Sequence, residues 1–121
     1  GRTQANEFLT GLAFERAWRA GDRGAMLSFF DDDVEFVSTP PFPPSGPARG
    51  VDHLAAFLDR HLPTLLLDAT RKQVAREAVT WSVKTRSPRR GDHIRGEARI
   101  GLRAGKIATL RLGPATRATH R

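Results

Sequence analysis

The second half of the chain alternates apolar and polar residues, and this pattern limits the possible folds more than any other feature. The alternation covers three runs of residues, at 78–86, 94–103 and 106–113, and a further strand is predicted at 66–74. Successive side chains of a strand point to opposite faces, so each run is predicted to be a strand with one buried face. The Ala104-Gly105 pair between the last two runs predicts a tight hairpin. Residues 87–92 are expected to form the preceding turn.

The same alternation assigns side chains to the two faces of the predicted sheet. The buried, concave face receives the apolar residues Val79, Trp81, Val83, Ala98, Ile100, Leu102, Ala108, Leu110 and Leu112. The outer face receives Thr80, Ser82, Lys84, Arg86, Glu97, Arg99, Arg103, Thr109 and Arg111. The chain carries a formal charge of +7, and 17 of its 20 basic residues are arginine. Much of this surplus charge is therefore predicted to lie on one side of the sheet.

The first half of the chain has helical spacing instead. Large apolar residues recur on one stripe from Phe8 to Trp18 and predict an amphipathic helix that ends at Gly21. Asp22 is suited to cap a second, shorter helix, predicted to contain Met26, Leu27, Phe29 and Phe30 and to end at the three aspartates 31–33. A strand over 34–38 follows.

Proline separates this strand from a third predicted helix. Five of the eight residues from Pro40 to Pro47 are proline, so this segment is predicted to be an irregular loop. Apolar residues then recur at helical spacing from Val51 to Leu62, and Pro63 ends the helix.

Length and composition exclude several classes of protein. The 121 residues fit one domain spanning 1–121, with an ordered core predicted over about 8–113. Without cysteine there is no disulfide scaffold, thiolate metal site or cysteine nucleophile. No apolar run approaches the roughly 20 residues that span a bilayer, so the prediction is a cytoplasmic protein without a membrane partner.

The order of these elements resembles the nuclear transport factor 2-like fold, whose superfamily includes SnoaL-like polyketide cyclases, ketosteroid isomerases and limonene epoxide hydrolases. The resemblance covers about 8–113 and rests on four short motifs. They are Trp18-Arg19-Ala20-Gly21-Asp22, Leu27-Ser28-Phe29-Phe30-Asp31-Asp32-Asp33-Val34, Arg49-Gly50-Val51-Asp52-His53-Leu54 and Gly105-Lys106-Ile107. The resemblance implies an α+β cone, in which a strongly curved mixed or antiparallel sheet wraps around three helices.

The resemblance also implies an apolar ligand pocket between the concave face and the first helix. Carried onto this chain, its lining is Phe14, Trp18, Phe36, Ser38, Phe42, Trp81, Val83, Ile100, Leu102, Leu110 and Leu112. The alternative is that the same side chains form a packed core without a cavity.

Ketosteroid isomerase chemistry needs a carboxylate base, a tyrosine and a protonated aspartic acid. The resemblance puts Phe14 at the place of the tyrosine, Ser38 at that of the base, and Ala98, or Glu97 in a shifted register, at that of the acid. Serine without an adjacent base cannot drive proton abstraction near neutral pH, so steroid-type isomerisation is not expected. The Asp-Arg-Asp set of the epoxide hydrolases is not expected either, because Arg95, Glu97 and Arg99 fall on the outer face and the chain has no tyrosine.

SnoaL-like cyclisation requires mainly one acid or base in an apolar pocket. His61 lies on the apolar face of the third helix and is the candidate for that role, with a structural histidine as the alternative. Ser38, His61 and Asp33 are thus the candidate catalytic residues. Asp31, Asp32 and Asp33 are interpreted as a solvated turn rather than a calcium or magnesium site. Neither a metal nor a cofactor is predicted.

Three functions remain open. The leading prediction is a protein that binds or transforms an apolar small molecule such as a polyketide, terpenoid or aromatic metabolite. The second is a non-catalytic accessory module that forms a homodimer through the outer sheet face. The third is nucleic-acid binding through the basic outer face, which the lack of exposed aromatic residues there disfavours.

Overall fold

Helices occupy the first half of the chain and strands dominate the second, as the spacing of apolar residues predicts. The computed structural model describes residues 2–86 and 93–115. Its helices are α1 (Arg2–Ala20), α2 (Arg23–Leu27) and α3 (Val51–His61), followed by a 3₁₀ turn at Leu62–Thr64. Its strands are β1 (Phe30–Ser38), β2 (Ser45–Arg49), β3 (Leu65–Val74), β4 (Ala78–Arg86), β5 (His93–Arg103) and β6 (Lys106–Gly113). The fold class is α+β, as predicted.

The strands form one curved, unclosed sheet in the order β2-β1-β6-β5-β4-β3. The β1–β6 pair is parallel and the other pairs are antiparallel. The four strands predicted in the second half are confirmed to within one residue at each end, as is the hairpin at Ala104-Gly105. The predicted turn at 87–92 and the end of the chain from 116 lie outside the described residues.

The prediction for the second helix and the three aspartates was wrong. Helix α2 ends at Leu27, and Phe30 is already the first residue of β1. Phe30 pairs with Ile107 of β6, and the carbonyl of Phe29 accepts a hydrogen bond from the Ile107 amide (2.9 Å). The register shifts between Phe30 and Glu35, which pairs with Thr109, so residues 31–34 form a bulge in a strand that pairs with β6 on either side of it.

The proline-rich segment was also predicted incorrectly at its end. Residues 45–49 form β2 at the edge of the sheet, where Glu35 of β1 pairs with Arg49. Pro47 lies within this strand, and an edge strand tolerates proline because its missing amide need not join the ladder. The exposed Arg49–Glu35 salt bridge (2.6 Å) spans the pair.

The predicted concave face is buried, with one correction. A shift of register after Gly101 pairs Leu102 with Ile107, so Ile107 is buried and Ala108 is only half-buried. Helix α1 packs across this face, and the Trp18 indole Nε1 donates a hydrogen bond to the carbonyl of Leu65 (3.0 Å). The hydrophobic core therefore lies between α1 and the concave face of the sheet.

Candidate functional site

One row of side chains crosses the concave face at the level where β1 ends. Strand pairing places Ser38 opposite Leu112, Leu112 opposite Ala98, and Ala98 opposite Trp81. All four residues are buried. Since neighbouring strands are about 4.8 Å apart, Ser38 lies roughly 10 Å from Ala98 across the row. The positions that the resemblance assigned to the base and the second acid thus share one row.

The Ser38 hydroxyl is the distinctive polar atom of this row. The residue is 2% exposed, and its Oγ makes no hydrogen bond with any residue that the structure describes. Leu112 and Phe36, its neighbours across and along the sheet, offer no polar side-chain atom. A buried hydroxyl without a partner costs about 1–3 kcal/mol, so such an atom calls for an explanation.

Phe42 covers the same end of the concave face. Its side chain is 2% exposed, and the segment holding it begins where the Thr39 amide donates to the carbonyl of Leu112 (2.9 Å). The ring lies so close to Gly96 that a Cβ there would be 2.6 Å from Phe42 Cε2. Gly96 therefore provides the space for the Phe42 ring.

The other predicted lining residues pack directly on one another. The Phe14 ring centroid lies 5.8 Å from that of Trp18 and 5.7 Å from that of Trp81. The whole predicted lining is buried in one hydrophobic cluster, apart from the polar Ser38: Phe14, Trp18, Phe36, Phe42, Trp81, Val83, Ile100, Leu102, Leu110 and Leu112. These side chains are thus brought together, and an open pocket between them stays a prediction.

His61 joins this cluster at its α3 side. The Phe57 ring centroid lies 4.8 Å from that of Phe36 and 4.7 Å from that of His61. The Phe57 ring therefore lies between the histidine and β1. Burial and the nearby positive charge of Arg60 lower the pKa of His61 below its ordinary value. The imidazole is therefore neutral near pH 7 and could accept a proton.

Asp33 lies apart from the other two candidate catalytic residues. It is exposed and follows the β1 alternation on the side opposite Val34 and Phe36, while its amide donates to the Asp31 carboxylate (3.0 Å). Within residues 2–86 and 93–115, no three His, Asp or Glu side chains are grouped so that they could hold a metal ion.

Sequence reasoning missed a polar cluster between α1 and the sheet. Glu15 Oε1 accepts hydrogen bonds from Lys72 Nζ (2.7 Å) and Trp81 Nε1 (2.9 Å). Burial alone would raise the pKa of Glu15, but the hydrogen bonds from Lys72 and Trp81 and the charges of Lys72 and Arg19 together lower it. Glu15 is therefore ionised at neutral pH.

A shift of strand register brings Lys72 to this cluster. Asp68 pairs with Ser82 and Lys72 with Trp81, so residues 69–71 form a bulge in β3. Asp68 stabilises the bulge by accepting hydrogen bonds from the amide and hydroxyl of Thr70 (3.0 and 2.6 Å). These hydrogen bonds, with the charges of Arg71 and Lys84, lower the pKa of Asp68. Simple alternation along β3 does not predict which residue faces Trp81.

The sequence profile of the SnoaL-like domain matches residues 12–110. The chain belongs to the SnoaL-like domain family. The match includes the Glu15 cluster, His61 and three of the four residues in the row that begins at Ser38 (the Ser38 row), and it ends two residues before Leu112, the fourth. A search of curated proteins found no match.

Solved structures confirm the fold of this SnoaL-like domain. A nuclear transport factor 2-like protein from Burkholderia xenovorans superposes with a TM-score of 0.70 at 21% identity, covering 93% of this chain and 91% of that one. A proposed polyketide cyclase from Xanthomonas campestris gives 0.68 at 20% identity, covering 92% and 91%. Rv0760c from Mycobacterium tuberculosis, in complex with estradiol-17β-hemisuccinate, gives 0.63 at 19% identity, covering 88% and 92%. At these identities the likeness shows the fold alone.

The outer face of this SnoaL-like domain carries two grooves that meet. One, of about 470 Å³, is lined by Glu97, Arg99, Arg111 and Pro114 among others. The other, of about 680 Å³, extends over Glu35, Arg49 and Pro47. Both include Val37, Thr39, Thr109 and Arg111, so they are continuous across β1 and β6. Arginines of the outer face, where positive charge was predicted, therefore line this continuous groove. No helix among the described residues is long and apolar enough to cross a membrane.

Proposed function

We propose that this SnoaL-like domain binds an apolar small molecule at the Ser38 row, with the Ser38 hydroxyl as the polar contact. The observation that carries the proposal is the buried Ser38 Oγ, which has no hydrogen-bond partner among residues 2–86 and 93–115. A ligand with one hydrogen-bonding group would satisfy this atom, and an otherwise apolar ligand would match the surrounding side chains.

The surroundings of Ser38 support a ligand with an aromatic or alicyclic body. Trp81 lies at the far end of the same row, and Phe36 is the next inward-facing residue along β1. Phe42 covers this region from a loop rather than from a strand, so it can move without breaking the sheet. The complex of Rv0760c with estradiol-17β-hemisuccinate shows that the fold accommodates a steroid derivative.

Acid–base chemistry at this site would rest on His61. The residues at the isomerase positions are Phe14, Ser38 and Ala98, and none of them carries a carboxylate or a phenol. His61 has a lowered pKa, and the Phe57 ring lies between it and Phe36, so proton transfer between His61 and a ligand at the Ser38 row would require Phe57 to move. A cyclase-type proton transfer to or from a bound ligand is therefore the reaction class we propose for a catalytic form of this function.

A homodimer formed through the outer face stays a proposal of different class. In that arrangement the exposed Arg99 and Arg111 would need acidic partners or bound anions, because the same surface of each copy carries them, whereas Arg103 already lies 3.8 Å from the Asp31 carboxylate. Sedimentation velocity at low and high salt tests it. If the accessory role were the whole function, Ser38→Ala and His61→Ala would leave the activity of the protein in the cell unchanged.

Native mass spectrometry with a library of apolar metabolites tests the binding proposal directly. We expect one-to-one adducts with the wild type and fewer with Ser38→Ala. The matched control is Ser28→Ala, because the Ser28 hydroxyl is exposed and donates to the Ala25 carbonyl away from this site (2.6 Å). An interior that takes up no member of the library contradicts the proposal.

A further inference from the structure

Two arginines lie directly opposite each other on the outer face. Arg99 of β5 pairs with Arg111 of β6, and both side chains are exposed. Directly opposite residues have Cβ atoms about 4.5–5.5 Å apart, and like charges at such positions destabilise a sheet. Neither arginine forms a salt bridge with an acid within residues 2–86 and 93–115. The pair is thus a local concentration of positive charge without a salt bridge to those residues, and Glu97 is the acidic residue that lines the same groove.

Glycines border the arginine pair on both sides. Gly101 pairs with Thr109 on one side, and Gly113 pairs with Glu97 on the other. A Cβ at Gly101 would collide with the Thr109 hydroxyl, and a Cβ at Gly113 would lie 2.7 Å from Thr39 Oγ1. The absence of these two side chains leaves space beside the arginines and beside the Thr109 hydroxyl, while the Thr39 hydroxyl donates to the carbonyl of Leu112 (3.4 Å).

Apolar and polar groups both line the groove at this point. Val37 and Pro114 provide apolar surface in the groove of about 470 Å³, and Pro47 and Ala48 provide it in the adjoining groove. Volumes of this size match the clefts that hold small organic molecules. The lining therefore combines a charged end with apolar walls.

We propose that this groove is a second binding site, distinct from the Ser38 row, for a small organic anion. The oxyanion head, a carboxylate, sulfonate or phosphate, binds between Arg99 and Arg111. Two guanidinium groups can each donate paired hydrogen bonds to such a head. The Thr109 hydroxyl, which has no hydrogen bond to any described residue, lies beside the pair and donates a further one. The apolar body of the anion lies against Val37 and Pro114.

Charge complementarity favours an anion over the other possible occupants. A second copy of this chain would bring the same two arginines to the interface if it docked through the same patch. A single nucleic-acid strand would be expected to stack its bases on aromatic side chains, and among the described residues that line the groove the one aromatic residue is Phe36, which is buried. Glu97 also lines this groove and has interactions of its own. Its single negative charge reduces the net charge of the groove but does not cancel the two positive charges of Arg99 and Arg111.

An NMR titration tests this site with a matched pair of probes. The first is naphthalene-1-sulfonate and the second is the uncharged 1-naphthalenemethanol, each added to ¹⁵N-labelled protein. We expect the sulfonate, and not the alcohol, to shift the amide resonances of Arg99, Thr109 and Arg111. Arg99→Gln with Arg111→Gln should weaken sulfonate binding by at least about tenfold, because two charge-assisted contacts are lost. Glu97→Gln should strengthen it.

Arg16→Gln is the control, since it removes one exposed positive charge from α1, away from the groove. It should leave sulfonate binding unchanged. Equal shifts with both probes, or undiminished binding by the double arginine variant, would overturn the proposal. So would a double variant that only dissociates a dimer in sedimentation velocity, or an oligonucleotide that binds the groove more tightly than the sulfonate. Failure here leaves the Ser38 proposal standing, because the uncharged alcohol reports separately on the concave face.

Discussion

Lys72 Nζ lies 2.7 Å from Glu15 Oε1, and this ion pair joins α1 to β3 beside the ring of Trp81. The Glu15 side chain is 12% exposed and that of Lys72 26%, so both are largely removed from water. Glu15 follows Phe14 in α1, and Phe14 packs on Trp81. The pair therefore fixes how the helix sits on the concave face.

Glu15→Gln is expected to lower the free energy of unfolding by about 1–3 kcal/mol at pH 7, because it removes the negative charge that faces Lys72. Urea denaturation measures the effect. Arg49→Gln is the comparison, since it breaks the exposed pair with Glu35 and should cost less than about 1 kcal/mol. Equal effects of the two substitutions would show that burial does not strengthen the Glu15 pair.

The contribution of Glu15 should depend on pH in a defined direction. Its pKa is lower in the folded protein than in the unfolded chain, where glutamate titrates near 4.3. The stabilisation is therefore present above the unfolded pKa and is lost as the pH falls through the folded pKa. In urea titrations, the stability difference between the wild type and Glu15→Gln should shrink as the pH falls from about 5 through the folded pKa. A difference that grows on acidification contradicts the lowered pKa.

Ser38→Ala should leave the ligand-free protein as stable as the wild type, or more stable by about 1 kcal/mol. The substitution removes a buried hydroxyl that has no partner among the described residues and keeps most of the packing. Thermal and urea unfolding both measure this. A loss of more than about 1 kcal/mol would mean that the hydroxyl makes a stabilising hydrogen bond in the free protein.

Gly96→Ala is expected to destabilise the protein by about 1–3 kcal/mol, because the new Cβ would meet the Phe42 ring and the Gly113 carbonyl. Gly46→Ala is the matched control, since a Cβ at Gly46 meets no atom within 4 Å. If both variants unfold at the same urea concentration, the Phe42 ring does not lie on Gly96.

Alternation predicted the strands of the second half and the two faces of β4 and β5 because each strand there keeps its period of two. It failed where extra residues enter a strand. The bulge at 69–71 puts Lys72 opposite Trp81, and the shift after Gly101 buries Ile107 instead of Ala108. No proline and no pair of glycines marks either irregularity in the sequence.

The candidate site likewise contains residues that could be placed from the sequence and residues that could not. The resemblance placed Ser38 in the lining, and its position two residues after Phe36 in β1 agrees with an inward side chain. The partner of Glu15 depends instead on the packing of α1 against a strand 57 positions later, which no local pattern encodes. The parallel pairing that extends β1 back to Phe30 is likewise a long-range contact, and it overrode the helical spacing of Phe29 and Phe30.

The central claim, that the Ser38 row binds an apolar ligand, is tested most directly by titrating uncharged estradiol into ¹⁵N-labelled protein. We expect saturable shifts of the Ser38, Ala98 and Leu112 amide resonances. Ser38→Ala should bind estradiol about two- to twelvefold more weakly, which corresponds to the loss of one hydrogen bond, and Ser28→Ala should bind it as the wild type does. Shifts confined to the outer face, or identical affinities of the wild type and Ser38→Ala, would contradict it.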